Sequence, residues 1–139
     1  MTIRPPSRLG AVALSMVMLL LVACTGGPSP TASSTRPSSP AKISIVAPVA
    51  GATVHGATVH IVLSLSGAKI VSQTTTRIRP DQGHVHLYVD NVLVSMNYGL
   101  EQDLPVHPGT YVLKAEFVAA DHAPFNPRVW SAETIFTVE

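Results

Sequence analysis

From Lys42 onward the chain alternates apolar and polar residues, the period-two signature of half-buried strands. Over 57–66, Val59, Ile61, Leu63 and Leu65 share one face, with His60, Ser64 and Ser66 on the other. Over 84–90, Val85, Leu87 and Val89 oppose His84, His86 and Tyr88. Over 110–119, Tyr111, Leu113, Ala115 and Phe117 face inward and Lys114 and Glu116 outward. Shorter runs at 43–47, 92–96, 100–104 and 129–138 complete the pattern. Asp90-Asn91 suits a tight hairpin turn between two of these runs, and Pro108-Gly109 suits another turn. The connection from Gly67 to Gly83 is long, and its stretch 74–79 could add an edge strand. No segment carries an apolar stripe of helical period and helix length.

Seven short strands in about a hundred residues, punctuated by Pro and Gly, predict an all-β, immunoglobulin-like β-sandwich over 42–139. Tyr111, placed just after Pro108-Gly109 at the start of the penultimate strand, fits a tyrosine corner. The Cys-Trp-Cys signature of antibody domains is absent.

The first 23 residues read differently. Arg4 and Arg8 precede an uncharged run, Leu9 to Ala23, that is short for a bilayer-spanning helix of about 20 residues. This is the pattern of a secretory signal peptide, helical in its apolar part. It ends in Leu21-Val22-Ala23-Cys24, which resembles the lipobox of bacterial lipoprotein precursors. That resemblance implies that Cys24 is acylated, carrying diacylglycerol and palmitate-type chains, and becomes the first residue after cleavage. The expected location is then a membrane surface outside the cytoplasm, with the lipid bilayer as one partner. Residues 25–41 follow as a low-complexity tether, twelve of its seventeen residues being Pro, Ser or Thr. Such a composition cannot bury a core and reads as a disordered, partly extended linker.

Composition removes several function classes. A formal net charge of +1 gives no basic excess for nucleic-acid binding. One Cys excludes an internal disulfide framework. Without the signal segment, seven basic side chains face eight acidic ones, and all eight acids lie from Asp81 onward. No Gly-x-Ser-x-Gly elbow, His-Glu-x-x-His, phosphate loop or dinucleotide fingerprint occurs, so the chain is expected to bind and not to catalyse.

All six histidines lie in the 42–139 region. His84 and His86, two residues apart on a strand, project from one face with Cα atoms about 6.6 Å apart. In an immunoglobulin-like sheet the strands 84–90 and 110–119 are antiparallel neighbours, which brings Asp121-His122 beside His84. A cluster of His84, His86, His122 and Asp121 would suit Cu(II) or Zn(II). The alternative is ordinary packing, with Asp121 orienting His122. Met96 could add a soft thioether for reduced copper, although a methionine at a strand end more often serves packing. Trp130 and Tyr88 could form a ligand rim. His55, His60 and His107 read as surface or turn residues. The expected partner is an envelope protein or a small ligand.

Gly83-His-Val-His-Leu-Tyr-Val-Asp90 resembles the Gly-His-His-His-Leu-Leu-Ile-Asp segment of a bacterial family of small exported proteins without an established activity. Pro108-Gly109-Thr-Tyr-Val-Leu and Asp121-His122-Ala-Pro124-Phe-Asn-Pro127 are similar to later motifs of that family. Val85 and Tyr111 stand where the family often has histidine. The resemblance implies fold and export.

Overall fold

A computed structural model describes residues 35–139, and the expected signal peptide and Cys24 lie outside the described residues. Ten strands form in chain order: β1 (Lys42–Ala47), β2 (Thr53–Val54), β3 (Thr58–Ser66), β4 (Lys69–Ile70), β5 (Gln82–Val89), β6 (Val92–Asn97), β7 (Glu101–Pro105), β8 (Gly109–Ala119), β9 (Pro124–Trp130) and β10 (Thr134–Val138). One sheet has the order β1-β3-β7. The other runs β2-β10-β8-β5-β4, with β6 also on β5 and β9 also on β8. The domain is all-β, with an immunoglobulin-like arrangement of two sheets. Chain alternation dictates what lies between them: Val59, Ile61 and Leu63 from the first sheet meet Val85, Leu87, Leu113, Ala115 and Phe117 from the second, all buried. Each large apolar side chain removed from water contributes about 1.5–3 kcal/mol.

Three local devices set the register. Asp90 and Asn91 both take positive φ, 51° and 65°, which joins β5 to β6 through the expected two-residue turn. The Tyr111 hydroxyl donates to the His107 carbonyl at 2.8 Å and accepts from the His107 N–H at 3.1 Å, forming the expected corner. The stacking of Tyr111 on Phe136, with centroids 5.4 Å apart, ties that corner to the core. Gly83 sits opposite Ala119 where β5 meets β8. A Cβ there would lie 1.8 Å from the Val118 carbonyl oxygen.

Three expectations need correction. Residues 74–79 form no strand; the edge beside the start of β5 belongs to β4, and Thr75 N–H instead bonds the Ala120 carbonyl at 3.2 Å. The expected single final strand 129–138 is two strands, both paired to β8. They are separated at Ser131, whose hydroxyl accepts the Ala115 N–H at 3.0 Å and donates to the Ala132 carbonyl at 2.8 Å. The end of the Pro/Ser/Thr-rich segment is attached to the sandwich: Asn126 N–H bonds the Pro37 carbonyl at 3.0 Å, and Ala41 is buried.

The contact at Gly83 makes a sharp test. Gly83→Ala forces β5 away from β8 and lowers unfolding stability by about 1–3 kcal/mol or more. Gly99→Ala, whose Cβ meets nothing closer than 3.7 Å, should change it by under ~0.5 kcal/mol. Chemical denaturation of both variants checks the contrast.

Candidate metal centre

The face of β5 that points away from the core carries His84, His86 and Tyr88, as period two requires. On an open sheet this face would be wet. Here His84 and His86 are only 1% and 6% exposed, and on β8 Glu116 and Val118 are each 1% exposed. Their cover comes from loops and from β9. The Tyr98 ring lies 5.1 Å from that of His84, and the turn between β8 and β9 places His122 over the same spot.

His122 owes its position to a tight turn. Its N–H bonds the Ala119 carbonyl at 2.9 Å, and the Ala119 N–H bonds the Ala123 carbonyl at 3.1 Å. The residue takes φ 65°, in the left-handed region that costs an ordinary L-residue about 1–2 kcal/mol. Its Nδ1 shares a 2.8 Å hydrogen bond with His84 Nε2, and its Nε2 a 3.2 Å bond with the Thr74 hydroxyl. The ring centroids of His84 and His86 are 5.1 Å apart, and those of His86 and His122 are 5.9 Å apart. One potential ligand atom from each of the three lies within 4.8 Å of the others. His84 Nδ1 and His86 Nε2 are buried without a hydrogen-bond partner.

Asp121, expected with the histidines, is engaged elsewhere. Arg36 donates to both its carboxylate oxygens, at 2.6 and 2.9 Å, and to the carbonyls of Ala123 and Pro124, each at 2.9 Å. These hydrogen bonds hold the Asp121 carboxyl below its usual pKa range. Its contribution is to fix the turn that carries His122, and it is not within the ligand group. Tyr88 and Trp130 stand further along the sheet in a second polar cluster. Arg128 grips the buried Glu116 carboxylate through two bonds of 2.6 and 2.7 Å, and the Tyr88 hydroxyl donates to it at 3.2 Å. The Trp130 ring meets Tyr88 edge-on at 5.1 Å, with Arg128 and Lys114 both over it. His60 is exposed on the other sheet and contacts Asp103 at 2.7 Å, as its outward position there implies.

Sequence reasoning missed Arg36, Thr74, Tyr98 and the burial of Glu116. Arg36 had a readable signal, being the only charge within residues 25–41. The others had none, because loops and not periodicity bring their covers into place.

Electrostatically His84 and His86 are kept neutral, the form that binds metals. Burial, then the neighbouring His122 and His86, lower the His84 pKa to about 4 against the opposing pull of Asp121. Burial is also the main cause lowering His86, helped by His122 and Arg128 and opposed by Glu116. In the unfolded chain both titrate near 6.5, so that state binds more protons at mildly acid pH. Stability from His84 is full above that value and is lost as pH falls through about 4, and His86 acts in the same direction. The urea midpoint of metal-free protein should therefore fall across this window, and His84→Leu should flatten the decline. A midpoint that holds level in the native sequence contradicts a buried neutral pair.

Comparison with known proteins bears on the fold. No family model matches the sequence, and no curated relative matches it. Among solved structures, the chain is similar to the fibronectin(III)-like modules of Clostridium thermocellum CbhA, at 22% identity and a TM-score of 0.52. The match covers 70% of this chain and 45% of that one. The likeness establishes a fibronectin(III)-like, and hence immunoglobulin-like, architecture for the domain.

Proposed function

We propose that the protein is a non-catalytic, extracytoplasmic binding module, tethered to a membrane through acylated Cys24, whose ligand is a copper or zinc ion held by His84, His86 and His122. The observation that carries the ligand is the three-imidazole group with two buried, unpartnered ring nitrogens. A buried polar atom left without a partner costs about 1–3 kcal/mol, a penalty that coordination would remove at His86 Nε2. The hydrogen bond between His84 and His122 already holds two nitrogens 2.8 Å apart. Metal–nitrogen bonds of about 2.0–2.1 Å in tetrahedral geometry need about 3.3 Å between donors, a small widening. The lipobox and the resemblance to small exported proteins support the location. A broader reading, a module for an apolar envelope ligand, draws on a cleft of about 330 Å³ lined by Val59, Val94, Leu104, Val106 and Phe136.

Calorimetric titration of untagged, detergent-solubilised protein decides between them. Stoichiometric binding of Cu(II) or Zn(II) at micromolar affinity or tighter is expected. The His84→Ala/His86→Ala double variant should lose at least about tenfold in affinity. Absence of binding, or binding unchanged in the double variant, leaves the apolar cleft as the better account.

The tether has a separate outcome. Cys24→Ala should leave the membrane fraction or remain unprocessed. A variant of processed size that stays firmly in the membrane fraction contradicts acylation at this residue.

A further inference from the structure

We propose that the ion is copper in its reduced, monovalent state, and that the Met96 thioether is its fourth donor. This deepens the three-histidine reading and rests on it. Two independent features of the fold point there.

The first is placement. β6 pairs antiparallel with β5 so that Met96 stands directly opposite His86. Facing residues of an antiparallel pair project from the same side of the sheet, with Cβ atoms about 4.5–5.5 Å apart. Tyr98, two residues beyond Met96, has its ring 5.1 Å from that of His84, so this side of β6 lies along the histidine pair. Met96 is 55% exposed, so its thioether is not committed to the core. An unbranched side chain with three rotatable bonds, rooted opposite one imidazole, reaches the space between the rings without any change of backbone.

The second is charge. Both acidic groups nearest the cluster are already neutralised by arginines: Asp121 by Arg36 and Glu116 by Arg128. The donors left are three imidazoles, which bind a metal in their uncharged form, and one uncharged thioether. A divalent ion would bring two positive charges into a site where His84 and His86 are buried and both nearby carboxylates are already paired with arginines. A monovalent ion halves that load. Imidazole serves copper and zinc alike, but a thioether selects Cu(I).

The test compares metals on full-length protein in detergent. Under anaerobic conditions with excess reductant, the native chain competes with a chromophoric Cu(I) chelator, and Zn(II) affinity is measured separately. Met96→Leu, close in volume and at an exposed position, should weaken Cu(I) binding at least about tenfold and leave Zn(II) binding unchanged. Copper-edge X-ray absorption of the native complex should show a sulfur scatterer beside the imidazoles. Cu(I) affinity unchanged in Met96→Leu, or a spectrum without sulfur, overturns the proposal. In that case a loss of metal in His84→Ala/His86→Ala would still uphold the three-histidine site. A native chain that binds neither metal overturns both.

Discussion

The antiparallel pairing of β5 with β8, from Gly83 opposite Ala119 to Val89 opposite Leu113, is the contact on which the rest of this domain depends. Its inner side supplies Val85, Leu87, Leu113, Ala115 and Phe117 to the core between the sheets. Its outer side supplies His84, His86 and Glu116. One ladder therefore sets both packing and chemistry. The absence of a side chain at Gly83 lets the two strands close at the histidine end.

The outer face is unusual for a sandwich because it is buried and polar together. Isolated ionised groups would be costly there. The fold resolves this in two ways along one strip. Glu116 is matched by a bidentate arginine and a tyrosine hydroxyl, which keeps a charge pair in place. His84 and His86 are kept neutral, with one hydrogen bond from His84 to His122 and two ring nitrogens left over. Arg36 reaches the domain from the proline-rich segment and secures the turn holding His122. The end of that segment is therefore part of what shapes the site.

Much of the site was legible because strand geometry is simple. His84 and His86 must share a face at two-residue spacing, and antiparallel pairing with the 110–119 run brings residue 122 to the same end. Of the two roles open to Asp121, ligand or support for His122, its bonds to Arg36 and the Ala123 N–H fit the second, a choice sequence adjacency cannot make. In this turn His122 at φ 65° points over the sheet and Asp121 toward Arg36. The extra strand expected at 74–79 failed for a related reason. The Thr74 hydroxyl and the Thr75 N–H bond instead to the turn that holds His122.

Alternation of apolar and polar residues by itself determined the all-β class, the inward and outward faces, the Asp90-Asn91 turn and the tyrosine corner, since each follows from local spacing and backbone preference. Tertiary structure alone decided that His84, His86 and Glu116 on the outer face are buried and that both neighbouring carboxylates are bound to arginines. These outcomes depend on residues up to 88 positions apart meeting in space, a matter of loop paths and charge pairing that no local period encodes.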